Sequence, residues 1–109
     1  MAVALLAGEP QVKATLITPH YTIHITELCE YDVACNRVIF ESVDHTGNIK
    51  HLKGKRLVVM CGDGVTPCHP YGYEFYDGYV RYVVGDDGEF SETLNGRKLI
   101  DEHGEWQKE

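Results

Sequence analysis

The chain has 109 residues, with 10 Lys and Arg against 17 Asp and Glu, a net charge of −7. That length holds one domain and hardly two. The acidic balance argues against nucleic acid, which needs a Lys/Arg surface for its phosphates, and no stretch approaches the roughly 20 apolar residues of a membrane-spanning helix.

Taken in order, residues 1–10 carry a short apolar run, Ala2–Ala7, with no Lys or Arg before it, ending in Gly8-Glu9-Pro10. This segment reads as the remnant of an export signal or a frayed start, outside the fold. Residues 11–109 read as a single β-domain. Val12, Ala14 and Leu16 alternate with Lys13 and Thr15. In YTIHITEL, Tyr21, Ile23 and Ile25 share one face, and Thr22, His24 and Thr26 the other. That period of two marks a half-buried strand. Thr26–Cys35 could hold one helical turn capped by Thr26. Arg37–Val43 is β-branched and aromatic, and Asp44–Asn48 is a hairpin loop. Ile49–Leu52 returns, Gly54 breaks the run, and Lys55–Cys61 begins a new strand.

The second half is a meander. Tyr73–Tyr76, Tyr79–Val84, Glu89–Leu94 and Arg97–Ile100 are separated by Asp77-Gly78, Gly85-Asp86-Asp87-Gly88 and Asn95-Gly96. Asp-Gly and Asn-Gly supply the positive φ angles of tight hairpins. Trp106 is placed to anchor a last strand. The expected fold is all-β: a small antiparallel barrel or a two-sheet sandwich of about nine short strands. Closure into a barrel would remove exposed edges.

Cys29 and Cys35 form one local pair, and Cys61 and Cys68 another. An even count in a short, turn-rich chain reads as a disulfide framework, which places the protein in the periplasm or outside the cell. Local pairing is one of three connectivities. The rival is zinc, but five and six intervening residues exceed the usual ligand spacing. The two intervening residues of a redox motif are absent.

Other chemistry is sparse. The six histidines (20, 24, 45, 51, 69, 103) form no ligand motif. The serines are Ser42 and Ser91, without a nucleophile elbow, and no P-loop or dinucleotide fingerprint occurs. Asp86/Asp87 and Asp101/Glu102 read as solvated turn residues, and Lys50, Lys53, Lys55 and Arg56 as a solvated hairpin face. No cofactor and no metal is expected. Tyr71, Tyr73, Phe75, Tyr76, Tyr79 and Tyr82 lie within twelve positions. They read either as cross-strand core packing or as a contact surface for a protein.

The runs YTIHITELC, CGDGVTPC and GYEF resemble a group of small exported bacterial proteins with paired cysteines, over roughly residues 20–106, the span of the strand signals. The resemblance implies an exported β fold and carries no functional residues. In size, acidity and cysteine content the chain is also similar to periplasmic lysozyme inhibitors as a type, whose inhibitory loop motifs it lacks.

The expected function is that of a non-enzymatic periplasmic or secreted binding protein, an inhibitor or immunity factor for a partner protein of basic character. The expected contact residues are Asp63, Thr66, Tyr71, Tyr73, Tyr76 and Tyr79. The alternative is a small-ligand or metal-binding β-barrel, and an enzyme with an unrecognised site ranks last.

Overall fold

A computed structural model describes residues 12–29 and 34–107. The described residues form nine strands: β1 (Val12–Ile17), β2 (Tyr21–Glu27), β3 (Val38–Asp44), β4 (Ile49–Met60), β5 (Pro67–Asp77), β6 (Val80–Gly85), β7 (Glu89–Leu94), β8 (Arg97–His103) and β9 (Glu105–Gln107). All neighbours are antiparallel, in the order β8-β7-β6-β5-β4-β3-β2-β1-β9.

The two ends of that order are consecutive in the chain. β8 pairs with β7, β9 pairs with β1, and Gly104 alone separates them. The last strand therefore passes from one sheet edge to the other and rolls the sheet into a nearly closed barrel. Gly104 is required at this corner: a Cβ there would lie 2.1 Å from the Ile17 carbonyl oxygen. Its N–H donates to the Gly88 carbonyl at 2.9 Å. Trp106 stands opposite Leu16 in the closing pair.

Alternation along each strand sends one set of side chains inward. Leu16, Ile23, Ile25, Val38, Phe40, Phe75, Val84 and Phe90 are fully buried. Phe40 sits among Phe75, Tyr82 and Phe90, with ring centroids 5.0, 5.7 and 6.2 Å away. Each such ring contributes roughly 1.5–3 kcal/mol by leaving water.

Four local expectations are corrected. Gly54 does not end a strand; β4 runs unbroken from Ile49 to Met60. Glycine is needed there because a Cβ would lie 2.0 Å from the Glu74 carbonyl oxygen, so it permits close strand approach where a break was expected. β5 starts at Pro67, not Tyr73. Its early residues lie where β6 does not pair, so the missing N–H of Pro67 and Pro70 costs no ladder bond on that side. Asp77 pairs with Val80, which makes Gly78 and Tyr79 the turn residues. Positive φ occurs at Gly78, the first central position, where a II′ hairpin wants glycine. Thr26 pairs with Ile39 within β2 and caps no helix; residues 30–33 of the suggested helical turn lie outside the described residues, as do residues 1–11. The Asn95-Gly96 turn follows expectation, with φ of 51° and 79° between the paired residues Leu94 and Arg97.

Candidate functional site

Three regions carry functional groups: an arm projecting from the barrel, the barrel end beneath it, and the opposite mouth. The arm follows from unequal strand lengths. β3 pairs with β4 only as far as Gly54, and β6 pairs with β5 only from Gly72. Val58–Met60 and Pro67–Pro70 thus continue as a two-stranded extension, paired in the ladder with each other.

Disulfides join Cys61 to Cys68 at the arm's tip and Cys29 to Cys35 beside the barrel. Both expected local pairs are formed, and they are compatible with an oxidising extracellular compartment. Within the tip, one Asp63 carboxylate oxygen accepts from the N–H groups of Val65 and Thr66, both at 2.9 Å. Its other oxygen accepts from the Thr66 hydroxyl at 2.7 Å. These bonds hold the Asp63 carboxyl at about 2, below the usual range. Asp63 and Thr66, expected to contact a partner, are thus engaged in shaping their own loop.

The arm carries exposed apolar groups. Val59, Met60 and Val65 are exposed, Val65 at 76%, and Tyr71 is exposed at the arm's base. Tyr71 points outward because the β4–β5 register shifts between Leu57 and Val58, leaving Tyr71 as the extra residue on β5. It borders a surface groove of about 370 Å³ whose lining includes Pro70, Asp86, Asp87 and Glu89.

The expected tyrosine patch is not one surface. Tyr73 is a correction: it is 5% exposed and belongs to the core. The bulge at Tyr71 explains this, because it breaks the alternation that would have put Tyr71 and Tyr73 on one face. Tyr76 is exposed five residues further along β5, and Tyr79 is exposed in the next turn. At about 3.3 Å per residue, Tyr76 lies some 16 Å along the strand from Tyr71.

Beneath the arm the barrel is sealed. The Tyr73 hydroxyl donates to Glu27 Oε2 at 2.7 Å. The Arg56 guanidinium lies 4.1 Å from the Tyr73 ring centroid and 3.7 Å from Glu27 Oε2. Arg56 also donates to the Gly72 carbonyl at 2.9 Å and to both Asp86 oxygens at 2.8 and 3.2 Å. Trp106 Nε1 donates to the Gly85 carbonyl at 3.3 Å, with its ring beside Tyr73. Burial, then the bond to Glu27, pushes the Tyr73 hydroxyl well above its ordinary value. Arg56 is another correction. It leaves the expected solvated basic face because alternation along the unbroken β4 turns it inward, where β2, β5 and the β6–β7 turn supply its partners.

The opposite mouth is open. A cavity of about 550 Å³ is lined by Tyr21, Ser42, Asp44, Asn48, Ile49, Lys50, Tyr82, Glu92 and Ile100. Register assembles it: Tyr21 stands opposite Asp44, Ser42 opposite Lys50, and Glu92 between Tyr82 and Ile100. Its floor is the aromatic core, where Tyr21 meets Phe90 edge-on at 5.2 Å and Tyr82 meets Phe40. Lys50 is committed to Asp77 at 2.8 Å and lies 5.8 Å from the Tyr82 ring. Asp44 accepts from the Thr46 and Asn48 N–H groups, which hold its own turn. Glu92 has no ion pair or hydrogen bond from another side chain among the described residues. Burial raises its carboxyl above the ordinary value, with Lys50 opposing. Burial likewise raises the Tyr21 and Tyr82 hydroxyls, and the Glu92 charge adds to both.

None of these mouth residues is among the expected contact residues, although Tyr82 belongs to the tyrosine-rich run read as core or contact surface. The signal was nonetheless present. Glu92 sits in phase with Phe90, and Ser42 in phase with Phe40 and Val38. A carboxylate on an inward-facing phase is costly unless something uses it.

Two histidines are brought together. The His20 and His45 rings are 5.4 Å apart, and His20 Nδ1 lies 2.6 Å from Glu102 Oε2. No three His, Cys, Asp or Glu side chains among the described residues are grouped to hold a metal ion. No described helix is long and apolar enough to cross a membrane. No protein-family model matches the chain, and comparisons with curated proteins and with solved structures return no match.

Proposed function

We propose that this protein is a non-enzymatic binding protein of the periplasm or the extracellular space, and that its disulfide-locked β4–β5 arm docks onto a basic protein partner. One observation carries the reading: an arm with exposed Val59, Met60 and Val65, and Tyr71 exposed at its base, ends in a loop already fixed by a disulfide and by Asp63. A preordered loop loses little conformational entropy on binding. Tyrosine beside aliphatic groups is the composition of an interface centre. The charge of the partner follows from the surroundings. The groove beside Tyr71 is rimmed by Asp86, Asp87 and Glu89, on a chain of net charge −7. Arg56 neutralises Asp86 and Lys98 lies 4.0 Å from Glu89, which leaves Asp87 to meet a Lys or Arg laid against the Tyr71 ring. Such a module suits an inhibitor or immunity factor, which acts by covering a partner's surface.

The test is capture from a periplasmic or secreted fraction on immobilised wild-type protein and on a Val65→Asp/Tyr71→Ala variant of unchanged melting temperature. The expected result is a basic protein held by the wild type, released by salt and lost by the variant. Truncating Tyr71 alone is expected to cost about 2 kcal/mol of binding if it is a hot spot. The reading fails if both proteins retain the same set, or if the wild type retains nothing that the variant loses.

A further inference from the structure

The open mouth is a second, independent site, remote along β4 and β5 from the arm's tip. We propose that it binds a small organic cation, whose ammonium group meets Glu92 while its apolar part lies against the rings of Tyr21 and Tyr82. Four observations support this. The cavity, about 550 Å³, is of the size that small-molecule sites occupy. Glu92 faces it without a side-chain partner among the described residues, whereas the other charged groups of the mouth are engaged. Lys50 is bonded to Asp77, and Asp44 holds the Thr46 and Asn48 amides. The charge that remains open to a ligand is therefore negative.

The aromatic groups point to the same ligand class. Tyr82 is the cross-strand neighbour of Glu92, and Tyr21 is close enough to feel its charge. Rings beside a carboxylate attract an alkylammonium through their faces. An anion would have to displace Asp77 from Lys50 and then face Glu92 and Asp44. A neutral ligand would leave Glu92 only the Lys50 charge, already bonded to Asp77, in a partly desolvated place. A cation alone answers the carboxylate.

Benzylammonium, benzyl alcohol and benzoate share a ring and differ in charge, and so serve as probes. Each is titrated at constant ionic strength into ¹⁵N-labelled protein, following the backbone amides of Ser42, Tyr82, Glu92 and Ile100. The expected outcome is saturable shifts at these amides with benzylammonium, and far weaker ones with the other two. Glu92→Gln is expected to weaken benzylammonium about tenfold, the scale of one charge-assisted contact. Absence of saturable shifts, equal response to benzyl alcohol, or undiminished affinity in Glu92→Gln would each overturn the proposal. The comparison of the three probes on wild-type protein decides the matter even if the variant does not fold. Loss of the arm's partner would leave this result unchanged.

Discussion

The two ends of this barrel are built from the same kinds of residue and reach opposite outcomes. At each end a tyrosine, a glutamate and a cation face inward. Under the arm, Arg56 lies on the Tyr73 ring and bonds Asp86, while Tyr73 itself bonds Glu27. Every charge there has a partner, and the end is plugged. At the mouth, Lys50 is bonded to Asp77, Glu92 is left without a side-chain partner among the described residues, and a cavity remains. The difference teaches that closure of a small barrel depends on whether the polar groups satisfy one another, more than on how many there are. A planar guanidinium can serve a ring, a carbonyl and two carboxylates at once, whereas an ammonium on a flexible stem serves fewer.

The largest expected effect lies at the sealed end. Tyr73→Ala should cost about 3–5 kcal/mol, by the range for large aromatic-to-alanine changes, because it opens a cavity and strips Glu27 of its donor. Tyr71→Ala, Tyr76→Ala and Tyr79→Ala should each stay within about 0.5 kcal/mol, as exposed substitutions do. Urea unfolding of the four variants checks this, and a comparable loss in any of the exposed three would break the contrast.

A smaller effect is expected from the arm. Removing the tip disulfide by Cys61→Ser with Cys68→Ser should cost less than about 3 kcal/mol, since the loop it closes is short. Hydrogen exchange should accelerate at residues 58–70 and stay slow in β2, β3 and β6. Uniform acceleration would mean that the arm and the sealed end are one cooperative unit.

The smallest effect sharpens the picture of the mouth. The folded-state carboxyl of Glu92 is raised above its ordinary 4.5 by burial. A raised carboxyl favours the fold only below its unfolded value, and that contribution is lost as pH rises through the folded value. At pH 7 Glu92 is therefore a net cost, and Glu92→Gln should raise Tm slightly. The gain should vanish well below pH 4.5. A variant less stable than wild type at pH 7 would show that the charge is satisfied after all.

Much of the fold is legible in the sequence alone. Alternation in YTIHITEL gives Ile23 and Ile25 to the core, Asn95-Gly96 sets a hairpin, and the cysteine spacing favours two local loops. These are short-range consequences of side-chain period and backbone sterics. Alternation also joins Tyr71 to Tyr73, wrongly, because a bulge in the β4–β5 ladder, a property of two strands together, changes which face a residue occupies. The basic run around Arg56 suggests water, but its partners, Glu27 and Asp86, are 29 and 30 positions away. The mouth is of the same kind: Tyr21, Ser42, Lys50, Tyr82 and Glu92 come from five different strands. Local sequence decided which residues could face inward. Strand order, register and the corner at Gly104 decided which of them meet, and so which end of the barrel is filled and which is left open.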